Sequence, residues 1–131
     1  MTVTLPFVFC RLAAITVLWL ALIPCIGAQT PPGGDAFLTR FRATVANPDV
    51  AALTDLTNLP FLFEGRPHER AAFVTRVVPQ LFIPSVRKCL AHATAQPEDG
   101  RLVLWCKPYG FYLGISDVQW RLMAFVADGE P

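Results

Sequence analysis

Cys89, His92 and Cys106 are the residues of this chain whose types and spacing most invite chemistry. Two thiols stand seventeen residues apart, and an imidazole follows the first by three. Three arrangements compete. A disulfide needs only the two cysteines and an oxidising compartment. A zinc site would start from the local C-x2-H element, but structural zinc takes four ligands, and only His68 and Asp99 stand ready to complete the set. A redox dithiol is ordinarily a C-x-x-C pair, which this is not. The spacing therefore favours the disulfide over a metal centre.

The densest polar cluster is "RPHER", Arg66 to Arg70. His68 and Glu69 make an acid–base pair there if both face one pocket. The plainer alternative is a solvated helix start, with Glu69 complementing the N-terminal dipole. Asp117 and Tyr112 are the other side chains considered for moving a proton. No Ser–His–Asp set, glycine-rich phosphate loop or paired carboxylate motif occurs, and no cofactor is implied.

Compartment decides how the cysteines are read. Arg11 is the only charge before Asp35, and Leu12 to Ile26 is almost unbroken in its apolar character. An early positive charge, an apolar stretch and then small residues is the layout of a secretory signal peptide. We assign it to residues 1–28, with cleavage after Ala28 and a secreted or periplasmic product. A retained anchor is the rival, since the apolar stretch approaches the roughly 20 residues that a membrane span needs. A lipid anchor on Cys25 is disfavoured by Pro24 before it. Removing the leader takes away Cys10, Cys25 and Arg11 and leaves ten Lys and Arg against ten Asp and Glu. So balanced a domain offers no electrostatic case for nucleic acid or an anionic membrane. Its contact with a membrane is expected only through an uncleaved leader.

The elements that must position these side chains follow from the apolar spacing. "TPPGG" within residues 29–34 reads as a flexible lead. Asp35 is the expected N-cap of a helix whose stripe is Phe37, Leu38, Phe41 and Val45. Asn47 caps a second short helix with Pro48 at its first position and Val50, Leu53 and Leu56 on its buried side. "LPFLFEG" is an extended crossing segment, and "RPHERAAFVTRVVPQLF" returns to helical spacing until Pro79 ends or kinks it. Pro84 starts one or two further helical turns.

The last third alternates. Leu102, Leu104 and Cys106 share one face against Val103, Trp105 and Lys107. In the final strand, Trp120, Leu122, Ala124 and Val126 fall together, with "QPEDG", "KP" and "SD" as the turns. Helices followed by a meander predict an α+β domain over residues 35–131, its N-terminal helices packed on one face of an antiparallel β-sheet.

The segments "FLTRFRATVANPDVAALTDLTNLPF", "ERAAFVTRVVPQLFIPSVRKCL" and "WRLMAFVADGE" give the chain a further likeness. It resembles small exported members of the nuclear transport factor 2-like superfamily, whose α+β cone of N-terminal helices packed on a curved antiparallel β-sheet is shared by SnoaL-like cyclases and ketosteroid isomerases. The resemblance implies a concave pocket between sheet and helices, used by some relatives for catalysis and by many only for binding. Its catalytic branches place an Asp base with a Tyr or His donor in the pocket. His68, Asp117 and Tyr112 are the weak counterparts here, and none clearly copies the enzymes.

The aromatic stock points elsewhere. Most of it must form the core, but "LWCKPYGFYLG" carries apolar or aromatic residues on both faces of a strand pair. Trp105, Tyr109 and Tyr112 are therefore expected to line a pocket or a partner surface. The expectation is an exported, non-enzymatic domain binding a small apolar ligand or a protein partner, a second copy of the chain among them. A SnoaL-like isomerase, cyclase or hydrolase is the enzymatic alternative, and an exported inhibitor or envelope interaction protein is a third.

Overall fold

The computed structural model describes residues 31–47 and 49–127. The leader expected over residues 1–28, Pro48 and the last four residues lie outside the described residues. Helix α1 (Gly34–Ala46) buries the predicted stripe of Phe37, Leu38, Phe41 and Val45. Its N-cap is Gly33, at φ 89°. Asp35, expected to be the cap, lies instead within the first turn, where its charge still complements the dipole. The Trp120 indole donates to Pro32 O at 2.9 Å, so the segment read as a loose lead is tied at residue 32 to the last strand.

Helix α2 (Val50–Asp55) is capped by Asp49, not Asn47. The Asp49 carboxylate accepts the Ala52 N–H at 3.0 Å, while Asn47 is occupied as the C-cap of α1. Leu53 is buried and Val50 and Leu56 are half-buried. Thr54 and Thr57, also buried, donate their hydroxyls to Val50 O and Leu53 O. Local back-bonding of this kind satisfies a hydroxyl that burial would otherwise strand.

Strands β1 (Phe61–Phe63) and β2 (Arg66–His68) form a hairpin in which Phe61 faces His68 and Phe63 faces Arg66. The helix start expected at "RPHER" comes only at its end, at Arg70 with Glu69 as N-cap, and Arg66–His68 are strand. Pro67 pushes Arg66 toward extended backbone, and Glu64 and Gly65 take positive φ values of 51° and 72° in a two-residue turn. Helix α3 spans 70–81, with α-helical Arg70–Ala72 and Val78–Leu81 flanking a π-helical Phe73–Val77. Pro79 neither ends nor breaks it at once. In the wider turn before the proline the Val78 N–H bonds Phe73 O, and Phe73, Val77 and Leu81 stay buried along one side. Helix α4 (Pro84–His92) begins with Pro84 in the first turn and buries Val86 and Leu90.

The meander has four strands, β3 (Ala95–Glu98), β4 (Arg101–Cys106), β5 (Tyr109–Ser116) and β6 (Gln119–Ala127), antiparallel and in that order. Strand β3 was not expected, because "QPEDG" reads as turn throughout. Only Asp99 and Gly100 turn the chain, at φ 49° and 75°, and Pro97 is tolerated because β3 is an edge strand. The β5–β6 turn is built alike on Asp117 and Val118, at φ 48° and 59°.

A β-bulge changes the face of the last strand. Tyr112 pairs with Ala124 but Leu113 with Leu122, so Met123 is the extra residue. Beyond it the alternation flips. Phe125, not Ala124 or Val126, joins the core beside Phe61 and Phe111. The free edge of β6 is met by residues 56–58. The Leu122 N–H donates to Leu56 O and the Asn58 N–H to Leu122 O, at 2.7 and 2.8 Å. Helices α1 and α4 pack on each other, α1 also against β6 and α4 against β4. The fold is α+β, with helices against one face of an antiparallel sheet.

Candidate functional site

Cys89 on α4 and Cys106 at the end of β4 form a disulfide, their Cα atoms 5.8 Å apart. It joins the helix layer to the sheet. His92 ends the same helix in an exposed position. Among the described residues, no three of His, Cys, Asp and Glu gather as a metal-ligand set.

The three catalytic candidates occupy three separate places. His68 lies edge-on to the Phe63 ring, with centroids 5.9 Å apart, and its Nδ1 is 2.9 Å from Arg66 O. Asp117 sits in the β5–β6 turn beside a polar cleft of about 400 Å³ that includes Asp55, Arg70 and Arg121. That cleft is internally paired: Arg70 meets Asp55 at 2.8 Å, and Arg121 donates to Asp55 O and to Gln119 Oε1. Tyr112 is on the outer face of the sheet, with the Arg101 guanidinium 4.8 Å from its ring centre. Among the described residues the buried polar side chains are Thr54 and Thr57. No carboxylate or imidazole there is held in the desolvated setting that tunes a general acid or base.

The aromatic surface residues divide between the two faces. Trp105 and Tyr112 share the outer one. The Trp105 indole lies flat across Gly110, where a Cβ would fall 2.6 Å from the ring. Gly114, four residues on, leaves room for Met123 and Arg101. Tyr109 faces the other way, edge-on to Phe111 and to Phe125 with ring centres 6.2 and 5.7 Å away.

At the Tyr109 end the inner face opens. A cleft of about 450 Å³ is lined by Leu62, Phe63, Gln80, Tyr109, Phe125 and the β1–β2 turn. Leu62, the outward residue of β1, is 61% exposed. On the other side of Phe63 lies a second cleft, about 370 Å³, lined by Arg66, His68, Arg76 and the same Phe63, Glu64 and Gln80. The Phe63 ring is the shared wall, packed on Phe125 at 5.7 Å and on His68 at 5.9 Å. Of the residues named from the sequence, Tyr109 and His68 lie on these clefts, whereas Leu62, Phe63, Gln80 and Phe125 were not named as site residues. The signal for Leu62 was present, since alternation in "FLF" turns its middle residue away from two buried phenylalanines.

No protein-family model, curated protein or solved structure matches the chain. Among the described residues, no helix is long and apolar enough to cross a membrane. The disulfide is compatible with an extracellular location.

Proposed function

We propose that the chain is an exported, non-enzymatic binding domain of the nuclear transport factor 2-like kind that takes a small apolar ligand in the cleft beside Tyr109. The carrying observation is the cleft itself, of a size suited to a small molecule and walled by Phe63, Tyr109 and Phe125. Export is supported by the leader layout of residues 1–28 and by the disulfide. The family reading is supported by the helix-then-meander order and by the bulge that bends β6 around the core. A SnoaL-like enzyme lacks support of the same kind, because the interior beneath the sheet is filled by Phe37, Phe41, Phe73, Phe82 and Phe111.

Nile red, a neutral apolar dye, tests the reading. It is expected to bind with a blue-shifted emission, and Leu62→Asp, which sets a charge on the exposed lip, should weaken it about ten-fold or more. Trp105→Ser on the opposite face should leave it unchanged. Dye binding lost in Trp105→Ser and kept in Leu62→Asp would move the site to the outer face. No binding at all would leave a protein partner as the ligand.

A further inference from the structure

Resting on that reading of the cleft, we infer that its ligand is an amphiphilic anion whose apolar body lies against Tyr109 and Phe125 and whose acidic head lies between Arg66 and Arg76. The two clefts are not separate sites but two sides of one wall, since Phe63, Glu64 and Gln80 line both. One side is aromatic, and the other carries two guanidinium groups and the His68 imidazole. A molecule that fills the first and reaches around Phe63 meets the second.

The cations of the second cleft are available. Among the described residues the ion pair formed is Arg70 with Asp55, so no described carboxylate holds Arg66 or Arg76. Both are exposed at the surface, where a guanidinium keeps its fork of donors free for a planar acid group. Local structure brings them together from different elements. Pro67 and the Glu64–Gly65 turn make the strand that carries Arg66, and the π turn carries Arg76 four residues before Gln80. The helix that carries Arg76 adds no carboxylate, because the run from Arg70 to Pro97 contains no Asp or Glu. Among the described residues Glu64 is the one carboxylate on the shared wall. It opposes an anion but is outnumbered, and it disfavours a ligand with two acidic heads.

Displacement of Nile red from the full exported domain by decanoate, 1-decanol and decyltrimethylammonium tests the inference. Decanoate is expected to act at about ten-fold lower concentration than decanol, with the cation weakest, and the preference should shrink as salt is raised. The double variant Arg66→Gln/Arg76→Gln, at two exposed positions, should erase the preference for decanoate while leaving decanol and the dye unchanged. Glu64→Gln should strengthen decanoate about two-fold. Equal displacement by decanoate and decanol, or a preference that survives the double variant, overturns the anionic head while the apolar cleft stands. Absence of dye binding in the wild-type chain overturns both.

Discussion

Across β4 and β5 the inner face buries Leu102, Leu104 and Phe111, with Leu104 and Phe111 at 0% exposure. One residue out of phase, the outer face leaves Trp105 at 44%. Both faces are apolar, yet only the inner one has a helix layer to meet. The outer face is covered by its own side chains instead: Trp105 over Gly110, Arg101 over Tyr112, Arg101 and Met123 over Gly114. Val103 is fully buried on that side and stands outside the main core. Apolar composition therefore marks a binding surface poorly. What distinguishes the cleft is that Tyr109 and Phe125 reach the rim of the packed face where Leu62 stands open to solvent.

Mutations on the two faces should differ most sharply in stability. Phe111→Ala removes a ring with no exposure and neighbours on every side, and should cost about 3–5 kcal/mol in denaturant unfolding. Trp105→Ala deletes a larger side chain but should cost only about 2 kcal/mol, since 44% of the residue already meets water. Equal losses would mean that the outer layer is a second core. The disulfide sharpens the contrast from another direction, because Cys106 is the last inner-face residue of β4. The double variant Cys89→Ala/Cys106→Ala should lose about 3 kcal/mol and unfold at lower denaturant, with the cleft's dye binding retained below the transition. The smallest effect belongs to Gly110→Ala. The new methyl would fall 2.6 Å from the Trp105 ring, well inside contact distance, so the half-exposed indole must swing outward, and stability should fall by about 1 kcal/mol. A red shift in tryptophan emission checks that movement, and an unchanged spectrum would show that the ring does not lie across the strand.

Much of this frame was legible because it depends on nearest-neighbour spacing. The stripe of α1, the start of α4 at Pro84, the apolar alternation of β4 and the Cys89–Cys106 pairing all follow from residue types at fixed intervals. The parts that were not legible depend on what a segment packs against. Pro97 lies in a strand because that strand is an edge, a property of the sheet and not of "QPEDG". Residues 66–68 became β2 because "FLF" was there to pair with, which holds the helix start back to Glu69 and Arg70. The bulge at Met123 moved Phe125 into the core with no local sequence mark. The clefts suffered most from this. Their walls come from β1, α3, β5 and β6, and no spacing rule relates Leu62 and Gln80 to Tyr109 and Phe125.

The bond from Cys89 to Cys106 also encloses the Asp99–Gly100 turn within a covalent ring. That turn is exposed on both residues, as are the sites that peptidases outside the cell attack first. A cut there severs the backbone yet releases nothing, since the two segments remain linked through sulfur and through the pairing of β3 with β4. The nicked protein would migrate as one species on a gel until a reductant is added. Wherever hydrolases reach the chain, the staple is then a form of damage tolerance.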